Sequence, residues 1–104
     1  MGKKADSKIK DFMSKARQEL KIERAILFGS RARGDNFKNS DYDVIIVSPD
    51  FEGVFFTKRI SNVYGFWKHY PLEIEPLCYT PKEFKLKIKE HGIVRQAVKE
   101  GIEV

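Results

Sequence analysis

Apolar positions recur along this chain with two different periods, and the alternation between them sets out the elements. Ile9, Phe12, Met13, Ala16 and Leu20 fall at i, i+3, i+4, i+7 and i+11, one stripe of an amphipathic helix that Asp6 or Ser7 can cap. Two short continuous runs come next, Ala25-Ile26-Leu27-Phe28 and Val44-Ile45-Ile46-Val47. Each reads as a buried strand, over about 23–29 and about 42–48, with residues 30–35 forming a turn or short helix between them. Ser48-Pro49-Asp50 breaks the second strand. Helical spacing then returns at Phe56, Ile60, Val63 and Trp67, with Gly65 as a weak point and His69-Tyr70-Pro71 as the stop.

A third strand is predicted over about 72–79, with Leu72, Ile74 and Pro76 on one side and Glu73, Glu75, Leu77 and Tyr79 on the other. Pro76 lacks an N–H for a ladder, which places this strand at a sheet edge. Thr80-Pro81-Lys82-Glu83 is a helix start: a capping threonine, a proline in the first turn and a glutamate three residues after the cap. Phe84 and Ile88 face inward along that helix. A last helical stretch buries Val94, Ala97 and Val98 and stops at Gly101. The predicted class is α+β (α/β), a small mixed sheet of about three strands flanked by helices, with residues 1–104 forming one domain.

Composition narrows the setting. Apolar residues make up 41% of the chain, enough for one core, and no uninterrupted apolar run exceeds four residues, so no membrane span is expected. Met1-Gly2-Lys3-Lys4 has no apolar segment behind it, and Asp6 stands where a myristoylation pattern wants Ser or Thr. The lone Cys78 cannot form an internal disulfide and fits a reducing cytoplasm as a small buried residue. The net charge of +5 favours anionic ligands, with a solvated Lys/Glu surface ranked ahead of a dedicated nucleic-acid patch. The aromatic group Phe55, Phe56, Tyr64, Phe66 and Trp67 reads as core.

The chemistry concentrates in residues 29 to 43. Gly29-Ser30 comes directly after the first strand, and Asp41 and Asp43 stand at the start of the second, two apart and therefore on one side. Gly29 lets backbone approach a phosphate, Ser30 adds a hydroxyl, and Arg31 or Arg33 can neutralise a polyphosphate. Nucleotidyl transfer is mostly positioning and charge neutralisation, and Mg²⁺ prefers carboxylate oxygen. Asp41 and Asp43 can bridge two such ions if a third acid completes the site, and the third strand offers Glu73 and Glu75. An isolated Asp-x-Asp is usually a solvated turn; here the order strand, Gly-Ser, ten residues, Asp-x-Asp, strand carries the reading.

Gly29-Ser30-Arg31-Ala32-Arg33-Gly34 and Ser40-Asp41-Tyr42-Asp43, set between apolar strands, resemble the motif of minimal nucleotidyltransferase (MNT) domains of the DNA polymerase β superfamily. A weaker similarity runs through Glu75, residues 79–84 and residues 94–101. The resemblance implies that Gly29, Ser30, Arg31, Arg33 and Ser40 bind a nucleoside triphosphate. It implies that Asp41 and Asp43 ligate two Mg²⁺ ions, with Mn²⁺ as a substitute, and that the third, catalytic acid is Glu75, where the family usually has aspartate. Glu73 is the reserve. MNT proteins pair with HEPN-type partners, so the implied activity moves a nucleoside monophosphate, AMP first, to a hydroxyl such as a tyrosine of such a partner, as an antitoxin. A homo-oligomer is compatible with this reading. The alternatives are a nucleotide-binding or partner-neutralising module with weakened catalysis and, last, a basic RNA-binding surface.

Overall fold

The computed structural model describes residues 7–34, 41–65 and 74–104. Expectations for Asp6, Ser40, Phe66, Trp67, the stop at 69–71, Leu72 and Glu73 lie outside these residues. Within them the order is α1 (Ser7–Glu19), β1 (Arg24–Phe28), α2 (Ser30–Arg33), β2 (Tyr42–Val47), a single 3-10 turn (Pro49–Phe51), α3 (Phe56–Gly65), β3 (Ile74–Tyr79), α4 (Pro81–Lys89), α5 (Ile93–Glu100) and β4 (Ile102–Glu103). No described helix is long and apolar enough to cross a membrane.

The strands form one sheet in the order β3-β2-β1-β4. β1 runs antiparallel to both β2 and β4, while β2 and β3 are parallel and joined through the segment that contains α3. β3 therefore lies at an edge, as Pro76 requires. The class and the helix flanks agree with the sequence reading, and the strand count changes from about three to four. β4 is two residues long and starts one residue after α5, too short to show the period of two by which strands are recognised.

Alternation along the strands builds a core on each face. Ala25, Leu27, Tyr42, Val44, Ile46, Ile74 and Cys78 point one way and pack against Ile9, Phe12, Met13 and Ala16 of α1 and Val63 of α3. Ile26, Ile45, Val47 and Tyr79 point the other way and are covered by Phe84 of α4 and by Val94 and Ala97 of α5. Asp43 shares the parity of Ile45, and Glu75 that of Tyr79. Both acids accordingly project toward the α4–α5 face.

α4 begins with the capping box in full: the Thr80 hydroxyl accepts from the Glu83 N–H at 3.2 Å, and the Glu83 carboxylate accepts from the Thr80 N–H at 2.8 Å. The same carboxylate holds Arg59. Arg59, only 6% exposed, donates through its guanidinium to Val54 O at 2.8 Å, Cys78 O at 3.1 Å and Glu83 Oε1 at 2.5 Å. One buried cation thus ties α3, β3 and α4 together. Arg59, rather than Phe56, is the inward residue at the start of α3. Phe55 is 86% exposed and Phe56 and Tyr64 are also exposed, which corrects their reading as core. Phe55 precedes the first helical residue, and the periodicity of α3 buries Arg59 and Val63 instead.

Gly101 closes the fold on the other side. A β-carbon there would lie 2.5 Å from Ile26 Cγ2 and 2.7 Å from Leu27 O, and would run into Ala97 O. Only a residue without a side chain lets the end of α5 seat directly on the backbone of β1.

Candidate active site

Three elements bring the acids to one end of the sheet. β1 ends at Phe28, whose register partner is Asp43 near the start of β2. Asp43 in turn pairs with Glu75 on parallel β3. Register partners on adjacent strands are roughly 5 Å apart, so the two carboxylates are neighbours by construction. Asp41, two residues before Asp43, joins them: Glu75 lies within hydrogen-bonding reach of both Asp41 and Asp43.

The electrostatics record this crowding. Burial and then the charge of Asp41 raise the carboxyl of Asp43 above its ordinary value, against the pull of the Glu75 hydrogen bond and the Arg33 guanidinium. Glu75 is raised from its ordinary value as well, first by its hydrogen bond to Asp41 and then by the Asp41 charge. Like charges gathered this way resist full ionisation. A divalent cation offsets that resistance, and an all-carboxylate oxygen set suits a hard ion. Among the described residues no group of three His, Cys, Asp or Glu side chains is already arranged to hold a metal ion.

Gly29 is the tightest part of the site. Its φ is +75°, in the left-handed region, and a β-carbon on it would come within 2.6 Å of Asp43 Oδ2. The turn it makes is stabilised through its carbonyl, which accepts from the N–H groups of Ala32 and Arg33, both at 3.1 Å. α2 thus begins at Ser30 with the Gly29 backbone pressed against the Asp43 carboxylate. Gly29→Ala is expected to cost about 1–2 kcal/mol through φ strain alone. It also displaces the Asp43 carboxylate, so nucleotide affinity falls more than stability does, which calorimetry and thermal melts measured on one sample will separate.

The two arginines of the motif go to different places. Arg33 faces Asp43 closely enough to lower its proton affinity. Arg31 stacks over the ring of Tyr42 with its guanidinium carbon 4.1 Å from the ring centroid. Tyr42 belongs to the core on the face opposite Asp43. The structure therefore brings together Gly29, Arg33, Asp41, Asp43 and Glu75, with Ser30 at the turn, and sets Arg31 on Tyr42. Ser40 and Glu73 lie outside the described residues.

Sequence reasoning did not mark the residues on the other side of the site. A cavity of about 290 Å³ opens beside Asp43, lined by Gly29, Arg33 and Asp43 and by Ile93, Gln96 and Glu100 of α5. With Ala97, which also lines it, these α5 residues fall at i, i+3, i+4 and i+7, a helical stripe that shares Ala97 with the buried pair Val94 and Ala97. The stripe was visible in the sequence, but its mixture of Ile, Gln, Ala and Glu resembles an ordinary solvent boundary.

The fold and motif have counterparts among known proteins. The family profile described as "Nucleotidyltransferase domain" matches residues 7–104. A crystal structure of a candidate nucleotidyltransferase from Sulfolobus solfataricus superposes with a TM-score of 0.63 at 21% identity, covering 91% of this chain and 74% of that one. BolA1 from Arabidopsis thaliana superposes with a TM-score of 0.61 at 22% identity, covering 75% of this chain and 96% of its own. At these identities both show a shared arrangement of helices and sheet. No curated protein sequence matches significantly. Because the family profile spans almost the whole chain, including Gly29, Asp41, Asp43 and Glu75, the protein belongs to the nucleotidyltransferase domain family.

Proposed function

We propose that this domain transfers a nucleoside monophosphate, AMP first, from a nucleoside triphosphate to an acceptor hydroxyl. The observation that carries the reading is the abutment of Gly29 on Asp43, with Glu75 paired to Asp43 across the strand. Together these place a backbone suited to close phosphate approach against a cluster of acids. Asp41, Asp43 and Glu75 are the residues that would hold Mg²⁺, or Mn²⁺ in its place. When bound, the ions supply charge neutralisation at the phosphate oxygens.

In the transfer step the acceptor oxygen forms a bond to the α-phosphorus. The bond from that phosphorus to the bridging oxygen breaks, and pyrophosphate leaves. The hydroxyl proton passes to Glu75, whose proton affinity is raised by Asp41 beside it, which suits a group asked to take a proton. Arg33, Ser30 and the backbone at Gly29 hold the triphosphate, with Ser40 and Arg31 as further contacts implied by the motif. The resemblance to MNT domains makes a tyrosine of a HEPN-type partner the first acceptor to try, which would make this chain the antitoxin of a pair in the cytoplasm.

The test uses nucleoside triphosphates labelled at the α-phosphate, with Mg²⁺ and a HEPN-type partner. Label is expected on the partner with ATP, and none after chelation with EDTA. Triphosphate binding without transfer to any acceptor would reduce the domain to a nucleotide-binding module. Absence of both would overturn the reading.

A further inference from the structure

The acids of the site are not held equally. Asp43 has a strand on either side, with Phe28 as its register partner on β1 and Glu75 on β3. The backbone of Gly29 also presses on its carboxylate. Glu75 lies on the edge strand, one residue inside its start, and its side chain is exposed. Packing around that side chain does little to fix its aim, and the β2 ladder supports its backbone from one side only.

The outer side of β3 is held by α3. Ser48, which follows β2, donates its N–H to Tyr79 O at 3.0 Å, so the main-chain groups of Tyr79 point toward β2. By alternation those of Glu75 and Leu77 do the same, and those of Ile74, Pro76 and Cys78 point away. Pro76 has no N–H to leave unpaired on that side. α3 takes the carbonyls at the two ends of the strand. Arg59 donates to Cys78 O at 3.1 Å, at the end away from the acids. The Tyr64 hydroxyl donates to Ile74 O at 2.7 Å, at the end where the acids gather. That carbonyl belongs to the same peptide unit as the Glu75 N–H.

We propose that Tyr64 is the positioning residue of the third acid, clamping the Ile74–Glu75 peptide from outside so that the Glu75 carboxylate is aimed at Asp41 and Asp43. This rests on the transfer reading above, in which Glu75 takes the hydroxyl proton and shares in holding Mg²⁺. A planar peptide held by β2 on one side and by Tyr64 on the other resists rotation, and the Cα–Cβ bond of Glu75 is fixed with it. Only the side-chain torsions of Glu75 then remain free. Tyr64 is 49% exposed, so loss of its hydroxyl weighs more on the site than on the core.

Titration of the intact chain with Mn²⁺, followed by water-proton relaxation, tests this without relying on activity. Tyr64→Phe keeps the ring, removes the hydroxyl and is expected to weaken Mn²⁺ binding roughly tenfold. In a Glu75→Ala background the same change is expected to move the affinity by less than about twofold, because the group it positions is gone. With Mg²⁺ in excess, Tyr64→Phe is expected to lower kcat for transfer about tenfold and to leave KM for ATP within about twofold. Equal losses of Mn²⁺ affinity with and without Glu75, as a general loosening of the fold gives, would overturn the proposal and leave nucleotidyl transfer standing. An unchanged affinity or an unchanged kcat in Tyr64→Phe would do the same. A loss that depends on Glu75, with no transfer by any of the proteins, would remove the transfer reading and leave Tyr64 its positioning role. Failure of the wild-type protein to bind Mn²⁺ would remove both.

Discussion

Asp43→Asn is expected to remove about a thousandfold or more of the transfer rate while leaving the melting temperature no lower than that of the wild-type protein. The two halves of this result come from one arrangement. Asp43 is partly buried beside Asp41 and Glu75, and burial and the Asp41 charge raise its carboxyl above the ordinary value. A group whose native proton affinity is raised opposes folding once it is ionised, so neutralising it relieves the native state near neutral pH. The same substitution removes the central member of the acid set, the one in contact with Gly29 and paired with Glu75. Labelled transfer assays and calorimetric melts of both proteins at pH 7 check the two halves. A drop of several degrees in the variant would show that Asp43 supports the fold, contrary to its placement. Sites that gather like charges for chemistry commonly give up stability in this way.

Arg59→Met is expected to have the largest effect on stability, a loss of about 3 kcal/mol and a fall in melting temperature of roughly 15 °C. Arg59 is buried and makes hydrogen bonds to two backbone carbonyls, Val54 O and Cys78 O, in addition to Glu83. Methionine keeps part of the stem packing and leaves those carbonyls without this donor. The value is set at the lower end for a buried pair because the Glu83 side chain is 43% exposed and water can take over part of its solvation. Glu83→Gln retains an acceptor oxygen and is expected to cost about half as much.

The pair also gives the pH dependence a direction. The hydrogen bonds from Arg59 hold the Glu83 carboxyl below its ordinary 4.5. A depressed native value means that the stabilisation is fully present above 4.5 and is lost as pH falls through the native value. Urea melts between pH 7 and pH 3 are therefore expected to show an acid-side loss of stability in the wild-type protein that is absent in Glu83→Gln.

Much of this molecule was legible because its signals are local. The capping box at Thr80–Glu83 needs only four residues, and the structure forms it in full. The parity of Asp41, Asp43 and Glu75 comes from the period of two, and the register of β2 with β3 makes Asp43 and Glu75 neighbours. What the chain concealed is non-local. Arg59 reads as one more surface cation until β3 and α4, some 20 residues later in sequence, supply Cys78 O and Glu83. Phe55 and Phe56 look like core by hydrophobicity, yet the helical phase of α3 is fixed by Arg59 and Val63. β4 exists because α5 delivers Ile102 opposite Leu27, a fact of three-dimensional placement with no pattern of its own.

Gly101 has a consequence for redesigning the domain. Because α5 ends on the backbone of β1 with no side chain between them, the helix has no play at that end. The distance from Glu100 to the strand that leads into Gly29 is fixed by main-chain contact. Residues 93, 96 and 100 can then be exchanged like teeth on a key whose shank does not bend. A library confined to those three positions would alter what the domain admits while leaving untouched the frame that aligns its reacting groups.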